Sequence, residues 1–152
     1  MNPSSSLYDE LRPDIAALAL PLFEVSQRFL KARSNFLPHG AVLTEDGNVN
    51  LVMAGPENDL TNSTEVLPLL HSSLRRSAQM GVKALAVAEN VTITLQGENQ
   101  TDAIKVLVEH KRGLVVALYL PFKKRLLFGH QFGESFTVAA TGEVNAWDGQ
   151  DP

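Results

Sequence analysis

The stretch Val82-Lys-Ala-Leu-Ala-Val-Ala-Glu-Asn-Val-Thr-Ile-Thr-Leu95 decides the fold. Side chains alternate across a strand, so Val82, Ala84, Ala86 and Ala88 share one face and Leu85, Val87, Val91, Ile93 and Leu95 the other. The alanine face lets a helix backbone approach closely, and the larger face needs a cover of its own. Downstream, Asp102 to His110 and Leu114 to Leu120 read as further strands. They are separated by the turn signals Gln96-Gly-Glu-Asn-Gln100 and Lys111-Arg-Gly113. Gly113-Leu-Val-Val-Ala-Leu-Tyr-Leu120 is apolar at nearly every position, as a central strand buried on both faces would be. Ser135 to Ala140 reads as a last strand before a polar end, and Lys123-Lys124 reads as a solvated turn.

Upstream, a helix is expected from Ser63 or Thr64, whose hydroxyl can cap free N–H groups, to Gly81. Its buried side is Val66, Leu70, Leu74, Ser77 and Ala78, and Pro68 is tolerable close to the first turn. Before it, Asp46-Gly47 joins two short apolar runs, Ala41 to Thr44 and Asn48 to Met53, as a hairpin. The clearest period is earlier still. Ile15, Leu18, Leu22, Val25, Phe29 and Ala32 step by three and four along one side of a helix. Pro13 suits its first turn, and Pro21 is expected to kink or split it.

The resulting order is helix, two strands, helix, then strands, with short links that favour antiparallel pairing. The fold class is α+β: an antiparallel sheet of five to six strands flanked by two main helices. The order of elements resembles the profilin-like and roadblock-like architectures. Phe36-Leu-Pro-His-Gly-Ala-Val-Leu-Thr-Glu-Asp-Gly47 is similar to a segment of small bacterial families of unknown function. That resemblance implies a bacterial cytosolic protein and no particular chemistry.

With 152 residues, a net charge of −4, an apolar fraction of 44% and no cysteine, the chain fits one domain over 1–152, with 1–6 and 145–152 as free tails. The missing cysteines exclude a disulfide scaffold, a thiolate zinc site, an iron–sulfur cluster and a cysteine nucleophile. Met1 to Ser6 has neither the basic segment nor the apolar run of a secretory signal, so the expected compartment is the cytoplasm. The Asn-x-Ser/Thr triplets at Asn62, Asn90 and Asn99 then read as chance matches. Asp14, Pro21, Glu24 and Gln27 interrupt the longest apolar run, well short of the roughly 20 residues of a membrane helix.

Glycine-loop signatures for nucleotides and the Gly-x-Ser-x-Gly nucleophile turn are absent from the sequence. His39, His71, His110 and His130 show no metal-ligand spacing, so no metal or other cofactor is expected. Convergence of His39, His110 and His130 with Glu109 or Asp46 stays open. Glu109 and His110, as strand neighbours, should point to opposite faces, which counts against an acid–base pair. Basic residues at Arg75-Arg76, Lys111-Arg112 and Lys123-Lys-Arg125, with Phe122, Phe128 and Phe132 nearby, raise nucleic acid as a partner. An isoelectric point near 5.5 argues against it.

Two functional expectations follow. In the first, two helices cover one side of the sheet and leave Leu85, Val87, Val91 and Ile93 to a second copy or another protein. The alternative within that reading is that the last strands curl over this face. The protein is then a non-catalytic binding protein with an accessory, adaptor or toxin-neutralising role, its loop from Gly55 to Ser63 and its hairpin tips serving as contact points. In the second, a pocket between the kinked first helix and the sheet takes a small molecule or a substrate, with His39 at its mouth and His110, Tyr119 and His130 as polar groups.

Overall fold

In a computed structural model, which describes residues 5–54, 63–97, 99–125 and 129–147, helix α1 runs Ser5–Arg33 without interruption. Pro13 and Pro21 both lie inside it, so neither the start near Pro13 nor the division at Pro21 is realised. An interior proline costs a helix about 3 kcal/mol. The fully buried Leu18 and Leu22 flank Pro21, and burying each contributes about 1.5–3 kcal/mol, so packing onto the sheet carries the helix through. The buried stripe is Leu11, Ile15, Leu18, Ala19, Leu22, Ser26 and Leu30. Its second half is rotated from the expected one, with Ser26 and Leu30 buried while Val25 and Phe29 are half-buried and Ala32 is exposed.

Strands β1 (His39–Thr44) and β2 (Val49–Val52) form the expected hairpin around Asp46-Gly47, with Gly47 at φ 93°. Helix α2 (Ser63–Ser77) follows, and Gly81, at φ 74°, makes the turn into β3 (Val82–Thr94). Then come β4 (Gln100–His110), β5 (Val115–Lys124), β6 (His130–Phe132) and β7 (Phe136–Ala139). Lys123 and Lys124 thus end a strand, and β6 pairs with them as a strand the sequence pattern did not announce. The described residues form an α+β fold with one antiparallel seven-stranded sheet, ordered β2-β1-β3-β4-β5-β6, with β7 also paired to β5.

The two helices lie on opposite faces of the sheet, which corrects the expectation that both cover one side. Helix α1 packs on the face carrying Ala41, Ala84, Ala86, Ala88, Val106 and Val116. Helix α2 packs Leu70 and Leu74 on the other face, with Ala78 just past its end, against Val42, Leu85 and Val87. A register shift between Leu43 and Thr44 pairs Thr44 with Val82, and Val82 joins the α2 side instead of the alanine face. Helix α2 comes close because β1 carries Gly40. A Cβ there would stand 2.7 Å from the Ala86 carbonyl oxygen and 3.4 Å from Leu74 Cδ1.

Val144 and Ala146 are buried in the α2-side cluster and Trp147 packs against it, so residues 145–147 are not a free tail. The loop expected over Gly55–Ser63 lies outside the described residues up to 62, as do Phe128 and residues 148–152. No helix among the described residues is long and apolar enough to cross a membrane.

Candidate interaction surface

The four polar groups expected to share a pocket are placed apart. His39 is 1% exposed at the start of β1 under α1, its Nε2 3.2 Å from Ser26 Oγ and its Nδ1 3.0 Å from the Leu37 carbonyl oxygen. Phe29 and Phe36 meet its ring edge-on, both at 5.4 Å between centroids. Burial holds this imidazole below its ordinary pKa, so it is a neutral core residue.

His110 lies under the same helix but beside Asp14, about 18 Å of helix rise from Ser26. The Arg112 N–H donates to His110 Nδ1, which leaves Nε2 to donate to Asp14 Oδ2 at 2.9 Å. Lys83 Nζ sits 3.4 Å from the other Asp14 oxygen. His130 is on β6, four strand spacings from β1, with its ring 5.6 Å from that of Phe122. Tyr119 is on the opposite face, stacked on Phe136 at 5.3 Å. Among the described residues, no three His, Asp or Glu side chains are grouped to hold a metal ion.

Glu109 and His110 do point to opposite faces. On the α2 side, Glu109 Oε2 accepts the N–H groups of Glu143 and Val144 at 2.9 and 2.8 Å, and Oε1 accepts that of Asn145 at 2.8 Å. Arg75 adds a hydrogen bond to the Val144 carbonyl oxygen. Lys105 closes the segment with an ion pair to Glu143 at 2.7 Å. A buried carboxylate with three donors thus clamps residues 143–145 across the sheet. It is a structural group, fully occupied.

The expected interaction face divides in two. Leu85 and Val87 are 0% and 2% exposed beneath α2 and the clamped segment, so they are internal core and not a contact surface. Val91 and Ile93 lie further along β3, beyond that cover, and are half-buried. Strand pairing sets Thr101 of β4 beside Ile93, and Ala103 of β4 and then Pro121 of β5 beside Val91. The next line on this face runs Glu89, Lys105, Tyr119 and Phe136, and Val138 of β7 follows beside Ala117. Val91, Ile93, Tyr119, Pro121, Phe136 and Val138 belong to neither packed cluster, and no helix of the described residues packs over them.

No protein family, curated protein or solved structure matches this chain. The surface must therefore be read from its own chemistry. It spans four strands and about five residues of each, roughly 14 by 17 Å. Val91, Ile93 and Pro121 supply apolar surface at one end of it, and Tyr119, Phe136 and Val138 supply it on the β5–β7 side. Glu89 and Lys105, directly paired across β3 and β4, stand in line with Tyr119 and Phe136 and form the β3–β4 side of the surface there. Burial raises the Glu89 carboxyl pKa against the pull of Lys105. Lys105 is held above its ordinary value mainly by its hydrogen bond to Glu143, against the opposing effect of burial.

The basic groups singled out by the sequence are largely engaged elsewhere. Arg112 is forked onto Glu10, and Lys111 pairs with Glu45. Phe122 and Phe132 pack on the α1 side of the sheet. Phe136, Val138 and Pro121 were missing from the expected interaction residues. Their alternation was visible in sequence, but the pairing of β7 with β5 that sets Phe136 beside Tyr119 and Val138 beside Ala117 is a long-range fact.

Proposed function

We propose that this chain is a non-catalytic interaction protein that associates with a second copy of itself through the open half of the sheet's α2 side. The observation that carries this reading is that Val91, Ile93, Tyr119, Pro121, Phe136 and Val138 share a face whose other half is covered by α2 and the clamped segment. An apolar sheet face gains free energy by leaving water, and a two-fold pairing of identical patches supplies a matching surface without a separate partner.

The area is a few hundred Å² by the strand dimensions above, below the roughly 800 Å² per partner of a standard interface. Association is accordingly reversible and concentration-dependent. Accessory, adaptor and toxin-neutralising roles all work by such contact without turnover. A cysteine-free chain is at home in a reducing cytoplasm, and the likeness of residues 36–47 to small bacterial families supports a bacterial source.

Sedimentation velocity across a concentration series tests the surface. Ile93→Lys and Val138→Lys should each hold the protein as a monomer, while Leu51→Lys, at an exposed leucine on β2, should leave association unchanged. Equal behaviour of the three variants would refute the assignment.

A further inference from the structure

Away from the open face, a cavity of about 200 Å³ opens where the end of α1, the link to β1, the end of β2 and the start of α2 meet. Phe29, Phe36, Leu37, Met53 and Val66 line it together with Arg33. Phe36 and Val66 are buried walls, whereas Leu37 and Met53 are 37% and 47% exposed, so the mouth is apolar too.

The wall at the helix end is held in place. Ser34 ends α1 with φ 61°, and Asn35 Oδ1 accepts both the Phe36 N–H and the Asn90 amide of β3, at 2.8 and 2.7 Å. Arg33 is the charged residue among the described lining residues. Its guanidinium lies 5.9 Å from the centre of the Phe29 ring and has no carboxylate partner among the described residues.

We infer that this cavity binds a small apolar carboxylate, with its ring or short chain between Phe29, Phe36 and Val66 and its carboxylate on Arg33. Size argues for a compact ligand. An apolar cavity of about 150 Å³ accommodates benzene, so this volume takes one ring with a short acid arm and is too small for a nucleotide. Charge argues for an acid. A guanidinium already stacked on an aromatic face keeps its planar fork free for two parallel hydrogen bonds to a carboxylate. A cationic ligand would find no acidic residue among the described lining residues, and a neutral one would leave Arg33 unused.

The test titrates the full-length native protein with 3-phenylpropionate and with its neutral amide, reading affinity by calorimetry. The acid should bind roughly fivefold or more tightly than the amide, as expected for adding a charge-assisted hydrogen bond. Arg33→Gln, a change at an exposed residue, should bring the two affinities together while leaving amide binding in place. Equal affinities in the native protein, an acid preference that survives Arg33→Gln, or no binding of either probe would overturn the inference. N-acetyl-phenylalanine carries the same chemistry as the end of a peptide chain. If it outbinds 3-phenylpropionate, the site belongs to a protein carboxyl terminus and the small-acid assignment falls.

Discussion

Glu109→Gln is the sharpest perturbation of the clamp. The native carboxylate accepts three backbone N–H groups, two on Oε2 and one on Oε1. Glutamine has the same shape but only one acceptor oxygen. That oxygen can keep the Glu143 and Val144 donors, and the amide nitrogen then faces the Asn145 N–H, donor against donor. One hydrogen bond to a charged group is lost, worth about 1.5–3 kcal/mol, and the remaining pair loses its charge assistance. The cost is capped because residues 143–145 can detach into water, giving up mainly the burial of Val144 and Ala146. A destabilisation near 2 kcal/mol follows, or roughly 4–8 °C in the unfolding midpoint of a domain this size. Trp147 is the single tryptophan and packs against the same cluster, so its emission reports the segment directly. In the variant it should shift to the red at temperatures below the circular-dichroism transition. An unchanged midpoint, or tryptophan emission that moves only with global unfolding, would refute the clamp.

Other outcomes follow from the packing and the titrating groups. Gly40→Ala should cost about 1–3 kcal/mol in chemical denaturation, because the new Cβ meets the Ala86 carbonyl oxygen of β3 at 2.7 Å and crowds Leu74 of α2; a neutral change would mean that the Ala86 carbonyl does not stand this close to Gly40. His39, neutral through burial, should titrate by NMR with a midpoint below the ordinary value of about 6.5. Because its folded pKa is the lower one, its share of stability is present above pH 6.5 and is lost as pH falls towards the folded pKa, and a midpoint at or above 6.5 would contradict this. Glu89 has the opposite sign: its folded pKa is raised, so its contribution is present below the unfolded pKa and lost as pH rises through the folded one. The stability gained by Glu89→Gln should therefore be larger at pH 7.5 than at pH 4.5, and a pH-independent difference would count against burial of the charge.

Local periodicities were legible where one physical rule acts alone. The alternation in Val82–Leu95 reports two buried faces, the Asp46-Gly47 turn reports a hairpin, and the leucine spacing around Leu18 and Leu22 reports a helix. Rules that compete across the fold were not legible. Pro21 obeys helix propensity in sequence, but the helix is decided by the sheet beneath it. Ser26 is polar and yet lies on the buried stripe, because its hydroxyl meets His39, a partner thirteen residues away. Val82 changes side through a register shift that nothing in its own strand announces.

The candidate sites were split in the same way. Sequence picked out Val91 and Ile93, which are half-buried beyond the cover of α2, together with Leu85 and Val87, which α2 covers. Nothing local separates the pairs, since both have the same alternation; only the placement of α2 over β1 and the start of β3 does. The four polar candidates share a chemistry but no location, because His39, His110 and His130 are spread along and across the α1 face and Tyr119 is on the other.

The central claim, self-association through the open sheet face, is tested most directly by the light-scattering mass of the native protein from low micromolar to several hundred micromolar. The account predicts a mass that rises with concentration from the 16.6 kDa of one chain towards twice that value. A mass that stays at 16.6 kDa over the whole range would contradict it.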